Sequence, residues 1–390
     1  MPLFEENEYL QRINKTKNRM RDAGIDVLLL SDPANMNYLS GYDGWSFYVH
    51  QMVVIGADAD EPIWIGRDQD SNGARLTTFL SEENILGYPD DYVQSATKHP
   101  MDYASQALAE RGWGDRTIGL EMDGYYFTAA AYQSLRRNLS DATFKDATSL
   151  VNWVRIVKSP QEIEYMRQAG NIAERAMRAA IDSINPGVRQ CDAVAAIYHA
   201  QISGSPEYGG DYTAIAPLLP TGAGTATPHL TWSDEQFKSG EATIVEIAGC
   251  RHHYHSPLAR TLHLGPPPPP VADAAKVLVD GLNASIEAAK PGATCAEVEA
   301  AWRHVIARAG IIKQSRIGYS TGLNYPPDWG EHTVSLRPGD RTVLQPNMTL
   351  HVIPGLWTEQ YGIDISECVL VTESGAEPLA GFPREYIVKE

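Results

Sequence analysis

Near the middle of this 390-residue chain, Ser159-Pro160-Gln161-Glu162 combines three helix-start signals. Ser159 can accept a bond from an orphan N–H, Pro160 suits the first turn, and Glu162 completes a capping box. Ile163, Met166, Ile172, Met177, Ile181 and Ile184 then supply apolar positions until Pro186-Gly187 stops the helix. A start this strong marks a boundary. It divides the chain into units of 1–155 and 156–390, in keeping with a prior of ~100–200 residues per domain.

The first unit reads as α/β. Tyr9, Ile13 and Met20 share a helical face, with Thr16 between them and Leu10 beside, and Gly24 is placed to cap the end. Ile25-Asp26-Val27-Leu28-Leu29-Leu30 follows as a buried strand. Met52-Val53-Val54-Ile55, Pro62-Ile63-Trp64-Ile65 and Thr117-Ile118-Gly119-Leu120-Glu121 read as further strands. This alternation predicts a sheet with covering helices. In the second unit, 242–249, 254–264, 348–354 and 363–372 read as strands. Thr294-Cys295-Ala296-Glu297 opens a helix that ends at Gly310. The proline run 266–270 predicts a stiff connector into a helix from Val271. The expected fold class is therefore α/β (α+β).

Asp and Glu number 49 against 32 Lys and Arg, for a net charge of −17. Such a surface disfavours nucleic acid and anionic membranes as partners. The four cysteines, Cys191, Cys250, Cys295 and Cys368, form no CxxC pair and no zinc-like spacing. The acidic N-terminus does not read as a signal peptide, and no segment supplies the ~18 apolar residues of a membrane span. A cytoplasmic location is expected.

Glu246 is the first chemical anomaly, a carboxylate inside the apolar strand Ile244-Val245-Glu246-Ile247-Ala248. Burying it is costly unless it is used or paired, with Arg260 or Arg251 as the partners in the second case. His229 ends the loop Thr221-Gly222-Ala223-Gly224-Thr225-Ala226-Thr227-Pro228, which lets backbone approach a ligand closely. There it reads as a proton shuttle or as a plain surface residue. Arg251-His252-His253-Tyr254-His255 invites a metal reading, but His253 and His255 share one strand face while His252 points away. A polar turn and strand entry explains it better. Tyr325, Asp328 and Trp329 lie in a stiff aromatic loop, Trp357 and Glu359 end a strand, and Asp364, Ser366 and Cys368 share a face opposite Glu367. Aromatic faces beside carboxylates suit a small organic cation. Gly41-Tyr42-Asp43-Gly44-Trp45-Ser46-Phe47-Tyr48 is a similar cluster and reads as an interface or pocket wall.

No P-loop, dinucleotide fingerprint, nucleophile elbow or HExxH occurs. The chain resembles the creatinase/Xaa-Pro aminopeptidase family. Val154-Arg155-Ile156-Val157-Lys158-Ser159-Pro160-Gln161-Glu162-Ile163 looks like the family's entry to its catalytic domain. Thr342-Val343-Leu344-Gln345-Pro346-Asn347-Met348 and Val369-Leu370-Val371-Thr372-Glu373 look like its last strands. The resemblance implies an N-terminal creatinase-like α/β domain over 1–155, a C-terminal pita-bread domain over 156–390, and a homodimer with sites completed across subunits.

The family's peptidases hold two metal ions with two Asp, one His and two Glu. Those positions here fall on Glu246, Pro257, Tyr319, Ile353 and Ser366. Proline and isoleucine cannot ligate, and tyrosine and serine are poor donors for hard divalent ions. The resemblance therefore implies no metal and no other cofactor, and a place in the metal-free branch. There His229 falls on the acid/base histidine and Arg337 on the residue that binds the substrate carboxylate. Pro228-His229-Leu230-Thr231-Trp232, Glu246-Ile247-Ala248-Gly249-Cys250 and the Tyr42 and Tyr325 segments resemble most the branch that opens the zwitterionic cyclic amidine ectoine. His229 and Glu246 are then expected to be catalytic. Arg337, Tyr325, Asp328, Trp329, Trp357, Glu359, Glu367, Tyr42 and Trp45 are expected to bind substrate. The alternatives are a creatinase-like hydrolase of another small C–N substrate, a non-catalytic binding module of the same fold, and an Xaa-Pro aminopeptidase.

Overall fold

The computed structural model describes residues 2–390, and the chain divides into two compact units that meet between Arg155 and Ile156. In the first, α1 (Glu6–Ala23) buries Tyr9, Ile13, Thr16 and Met20 and ends at Gly24, whose φ of 62° favours glycine. A mixed six-stranded sheet follows. Its strands are β1 (Val27–Leu30), β2 (Met52–Gly56), β3 (Ile63–Arg67), β4 (Ile85–Tyr88), β5 (Thr117–Leu120) and β6 (Thr143–Asp146), in the order β4-β3-β2-β1-β5-β6. Between them run α2 (Pro33–Ser40), α3 (Ser71–Thr77), α4 (Pro100–Glu110) and α5 (Ala129–Asn138), and α6 (Asn152–Arg155) ends the unit. Leu29, Val54, Ile65, Ile118 and Leu120 meet Met101, Leu108 and Leu135 in the core.

The second unit opens with α7 (Pro160–Ser183). Ser159 Oγ accepts from the Glu162 N–H, and the Glu162 carboxylate accepts from the Ser159 N–H. Next come α8 (Gln190–Ser203) and a long hairpin of β7 (Ala242–Arg251) and β8 (Tyr254–Leu264). Gly249 lets α7 lie directly on β7, because a Cβ there would sit 1.9 Å from the Ala169 carbonyl. The hairpin turns at His252 and His253, both at positive φ (50° and 62°), a twist that suits a two-residue connection. His253 thus belongs to the turn and does not share a strand face with His255.

Two helices, α9 (Pro269–Ala288) and α10 (Cys295–Arg308), follow. The connector is shorter than its prolines suggest: α9 begins inside the run at Pro269, where a missing N–H costs nothing. A five-stranded sheet then forms from β9 (Gly318–Thr321), β10 (Gly330–Ser335), β11 (Thr349–Val352), β14 (Glu367–Val371) and β15 (Ala376–Pro378), with the small hairpin β12 (Leu356–Trp357) and β13 (Gly362–Ile363) between β11 and β14. Last, β16 (Ile387–Lys389) pairs with β8. The strand expected over 363–372 is broken at 364–366. There Ser366 and Asp364 leave the ladder to bond Ala259 and Thr261 of β8.

Candidate active site

Glu246 lies mid-strand on β7 and is 6% exposed. Its backbone pairs on one side with Ala259 of β8. On the other it exchanges hydrogen bonds of 3.0 and 2.9 Å with Leu218. Burial, then the nearby Asp364 and Asp328 carboxylates, raises its carboxyl well above the usual range. Arg260 does not pair with it. That guanidinium instead donates to Glu367 at 2.6 Å, with both side chains enclosed.

Tyr319 on β9 opens onto a cleft of about 220 Å³ that is also lined by Arg316, Asp328, His332 and Arg337. Its hydroxyl accepts from Trp329 Nε1 at 2.8 Å and meets His351 Nδ1 at 3.1 Å. His351 Nε2 in turn meets Ser366 Oγ at 2.7 Å. Burial, then Arg316, pushes the imidazole down to about 3, so it bridges the two hydroxyls as a neutral ring. Burial and then Glu246 push the Tyr319 phenol well up, which places it near that carboxylate. Although burial opposes it, Asp328 ionises below its ordinary range because His332 and the Gly330 N–H bond it.

The expected site residues separate. Glu246, Asp328, Trp329 and Arg337 belong to this region. Trp329 works from behind, packing on Ala248 and holding Tyr319. Arg337 is exposed at the cleft, its Nε donating to Ser335 Oγ at 2.8 Å. His229 is exposed beside Leu230, whose carbonyl accepts from Leu219, the neighbour of the residue paired with Glu246. Trp357 carries the Lys313 ammonium 4.9 Å from its ring centre.

Five expected binding residues have other surroundings. Glu367 is consumed by Arg260. Glu359 is exposed in the turn between β12 and β13. Tyr325 stacks on His253 at 4.2 Å. In the first unit, Tyr42 packs inward on Trp64 at 5.1 Å, while Trp45 is 58% exposed. The sequence does not single out Arg316, Lys313 or His351. Their only sequence signal is a polar residue beside or within an apolar strand, which is too common to select on.

Residues 12–157 match the Creatinase/Prolidase N-terminal domain, and residues 164–373 match metallopeptidase family M24. The chain belongs to metallopeptidase family M24. An ectoine hydrolase from Halomonas elongata is 50% identical, over 99% of this chain and 98% of the relative. An Xaa-Pro dipeptidase from Pyrococcus horikoshii is 25% identical over 97% of this chain and 99% of its own. Among solved structures, the dipeptidase PepE of Mycobacterium ulcerans superposes with a TM-score of 0.82 at 23% identity, covering 99% of both chains. The prolidase of Pyrococcus horikoshii gives 0.81 at 22%, covering 97% of this chain and all of that one. Both likenesses speak for the fold, the two-domain pita-bread architecture.

Membership in M24 raises the question of metal, on which the donor set bears. Of the five positions that the resemblance assigns to metal ligands, only Glu246 offers a carboxylate. Pro257 and Ile353 offer nothing, and the Tyr319 and Ser366 oxygens are engaged by His351. Among the described residues no group of three or more His, Cys, Asp or Glu is arranged to hold an ion. The residues present do not fit a metal pair.

Proposed function

We propose that this chain is a metal-independent hydrolase that opens the amidine ring of ectoine to N-acetyl-2,4-diaminobutyrate. The observation that carries the reading is Glu246, an enclosed carboxyl that interacts with Tyr319 and Asp328 in the lining of a cleft that also holds two arginines, on a site whose donors do not suit metal. The name of the half-identical Halomonas relative supplies the substrate. The amidinium carbon is already electrophilic, so it needs no Lewis acid. Arg337 and Arg316 suit the single carboxylate of the substrate. An amidinium arriving beside Glu246 favours the ionised carboxylate and reverses the effect of burial.

Glu246 then either takes a proton from water, whose oxygen adds to the carbon, or adds its own oxygen first and is released by water. In both routes the tetrahedral centre collapses as one ring C–N bond breaks. The departing nitrogen takes a proton from His229. The sum is ectoine plus one water. The exposed aromatic rings of Trp45, Tyr48 and Tyr125 suit a contact with a second copy, in a homodimer that light scattering would register as twice the chain mass.

Incubation of the purified protein with ectoine, creatine and a Xaa-Pro dipeptide, followed by proton NMR, tests the reading. Ectoine alone should be consumed. Cleavage of the dipeptide or of creatine in its place would refute it.

A further inference from the structure

Asp364 is fully enclosed, and among the described residues neither of its carboxylate oxygens meets a hydrogen-bond donor. A buried carboxylate left in this state is costly, and native structures keep one where something arrives to satisfy it. Its backbone is held rigidly: the Asp364 N–H donates to Thr261 Oγ1 at 2.8 Å, and that hydroxyl donates back to the Asp364 carbonyl at 2.9 Å. Thr261 pairs with Ile244, which sits on the same face of β7 as Glu246. The two acids therefore stand over neighbouring positions of one hairpin.

Beside Asp364 an indole already carries a cation. A Cβ on Gly355 would lie 2.3 Å from the Trp357 ring and 3.0 Å from Asp364 Oδ1, so glycine is what lets indole and carboxylate share this space. Lys313 donates its ammonium to the Gly355 carbonyl and rests 4.9 Å from the centre of the Trp357 ring. An indole face that tolerates an ammonium suits a delocalised cation equally. Burial brings the Lys313 amine down to about 8, while Asp364 opposes that fall.

We propose that Asp364 is the carboxylate that accepts a ring N–H of the bound amidinium beside Trp357, with Arg316 and Arg337 holding the substrate carboxylate at the far end. The inference rests on the reading of the substrate as a cyclic amidinium. It assigns the basis of selectivity: a neutral ring of the same shape leaves Asp364 unpaired and is rejected.

The test uses Glu246→Gln, so that ligand is bound without turnover, with and without Asp364→Asn. Calorimetry compares ectoine with 6-oxopiperidine-2-carboxylate, a ring acid that lacks the positive charge. Asp364→Asn should weaken ectoine by roughly 10–100-fold and leave the neutral ring unchanged or tighter. In the chain with Glu246 intact, Asp364→Ser should lose turnover and recover part of it with added formate. This second arm decides the matter if the asparagine variant does not fold. Equal loss for both ligands, no loss for either, or no rescue by formate overturns the assignment. If the native protein neither binds nor opens ectoine, the proposed function fails separately. Guanidinoacetate against its neutral urea analogue then makes the same comparison, and failure to bind any of these cations overturns Asp364 as well.

Discussion

His351 stands between two hydroxyls, with Nε2 2.7 Å from Ser366 Oγ and Nδ1 3.1 Å from the Tyr319 hydroxyl. One neutral ring thus satisfies two positions that the resemblance assigns to metal ligands. A ligand that binds only the folded state raises its melting temperature. Manganese, cobalt or zinc should therefore leave the melting temperature of this protein unchanged. The combined change Pro257→Asp, Tyr319→His, Ile353→Glu and Ser366→Glu should create a metal-dependent rise. A clear rise in the native protein would count against the account.

Glu246 is the group on which both chemical routes converge. Glu246→Gln keeps the shape and removes the nucleophile or base. We expect kcat to fall by roughly a thousandfold or more while KM changes little. Steady-state kinetics on ectoine decides this, and a variant with near-native kcat would remove Glu246 from the chemistry.

Glu367 makes a different prediction because the Arg260 guanidinium already holds it at 2.6 Å in a fully enclosed setting. Removing Glu367 leaves the buried Arg260 guanidinium bonded to backbone carbonyls but without that counter-charge, a loss of about 3–5 kcal/mol. Glu367→Gln should lower stability by about that much in urea unfolding, with the KM of the remaining folded protein unchanged. A raised KM at native stability would return Glu367 to the binding site.

Glu246 and Glu367 also show what the sequence makes legible. The capping boxes at Ser159 and Thr294 are local, and both form. Glu246 stands out because a carboxylate inside an apolar strand is anomalous whatever surrounds it. Glu367 looks no different from a binding acid until Arg260, 107 positions away, is found against it. The break at Asp364 has the same cause: bonds to β8 from a distant stretch override the strand pattern of 363–372. Tyr42 and Trp45 share an aromatic loop, yet one ring turns inward and the other out, a choice made by Trp64 from the neighbouring strand.

Asp364 carries a pH signature. Burial pushes it from 3.8 up to about 7, against Lys313 and Arg260. Between those values the folded protein keeps a proton that the unfolded chain releases, so stability falls as pH rises through this window. At about 1.4 kcal/mol per unit the penalty is on the order of 4 kcal/mol once both states are ionised. Asp364→Asn removes it, less the smaller cost of burying an amide. The variant should melt several degrees above the native protein at mildly basic pH, with the gap closing or reversing near pH 4. Burial also raises Glu121 to about 7, which is common to both proteins and cancels, whereas Glu246, raised by burial and then by the Asp364 charge, is relieved in the variant and widens the gap at basic pH. Parallel melts across pH check this, and a variant no more stable than native at basic pH contradicts it.

The most direct measurement is ectoine ring opening by protein stripped with a chelator, its residual metal content determined on the same sample. Undiminished formation of N-acetyl-2,4-diaminobutyrate at far below one metal ion per chain is the predicted result. Loss of turnover on stripping, restored by manganese, cobalt or zinc, would contradict it.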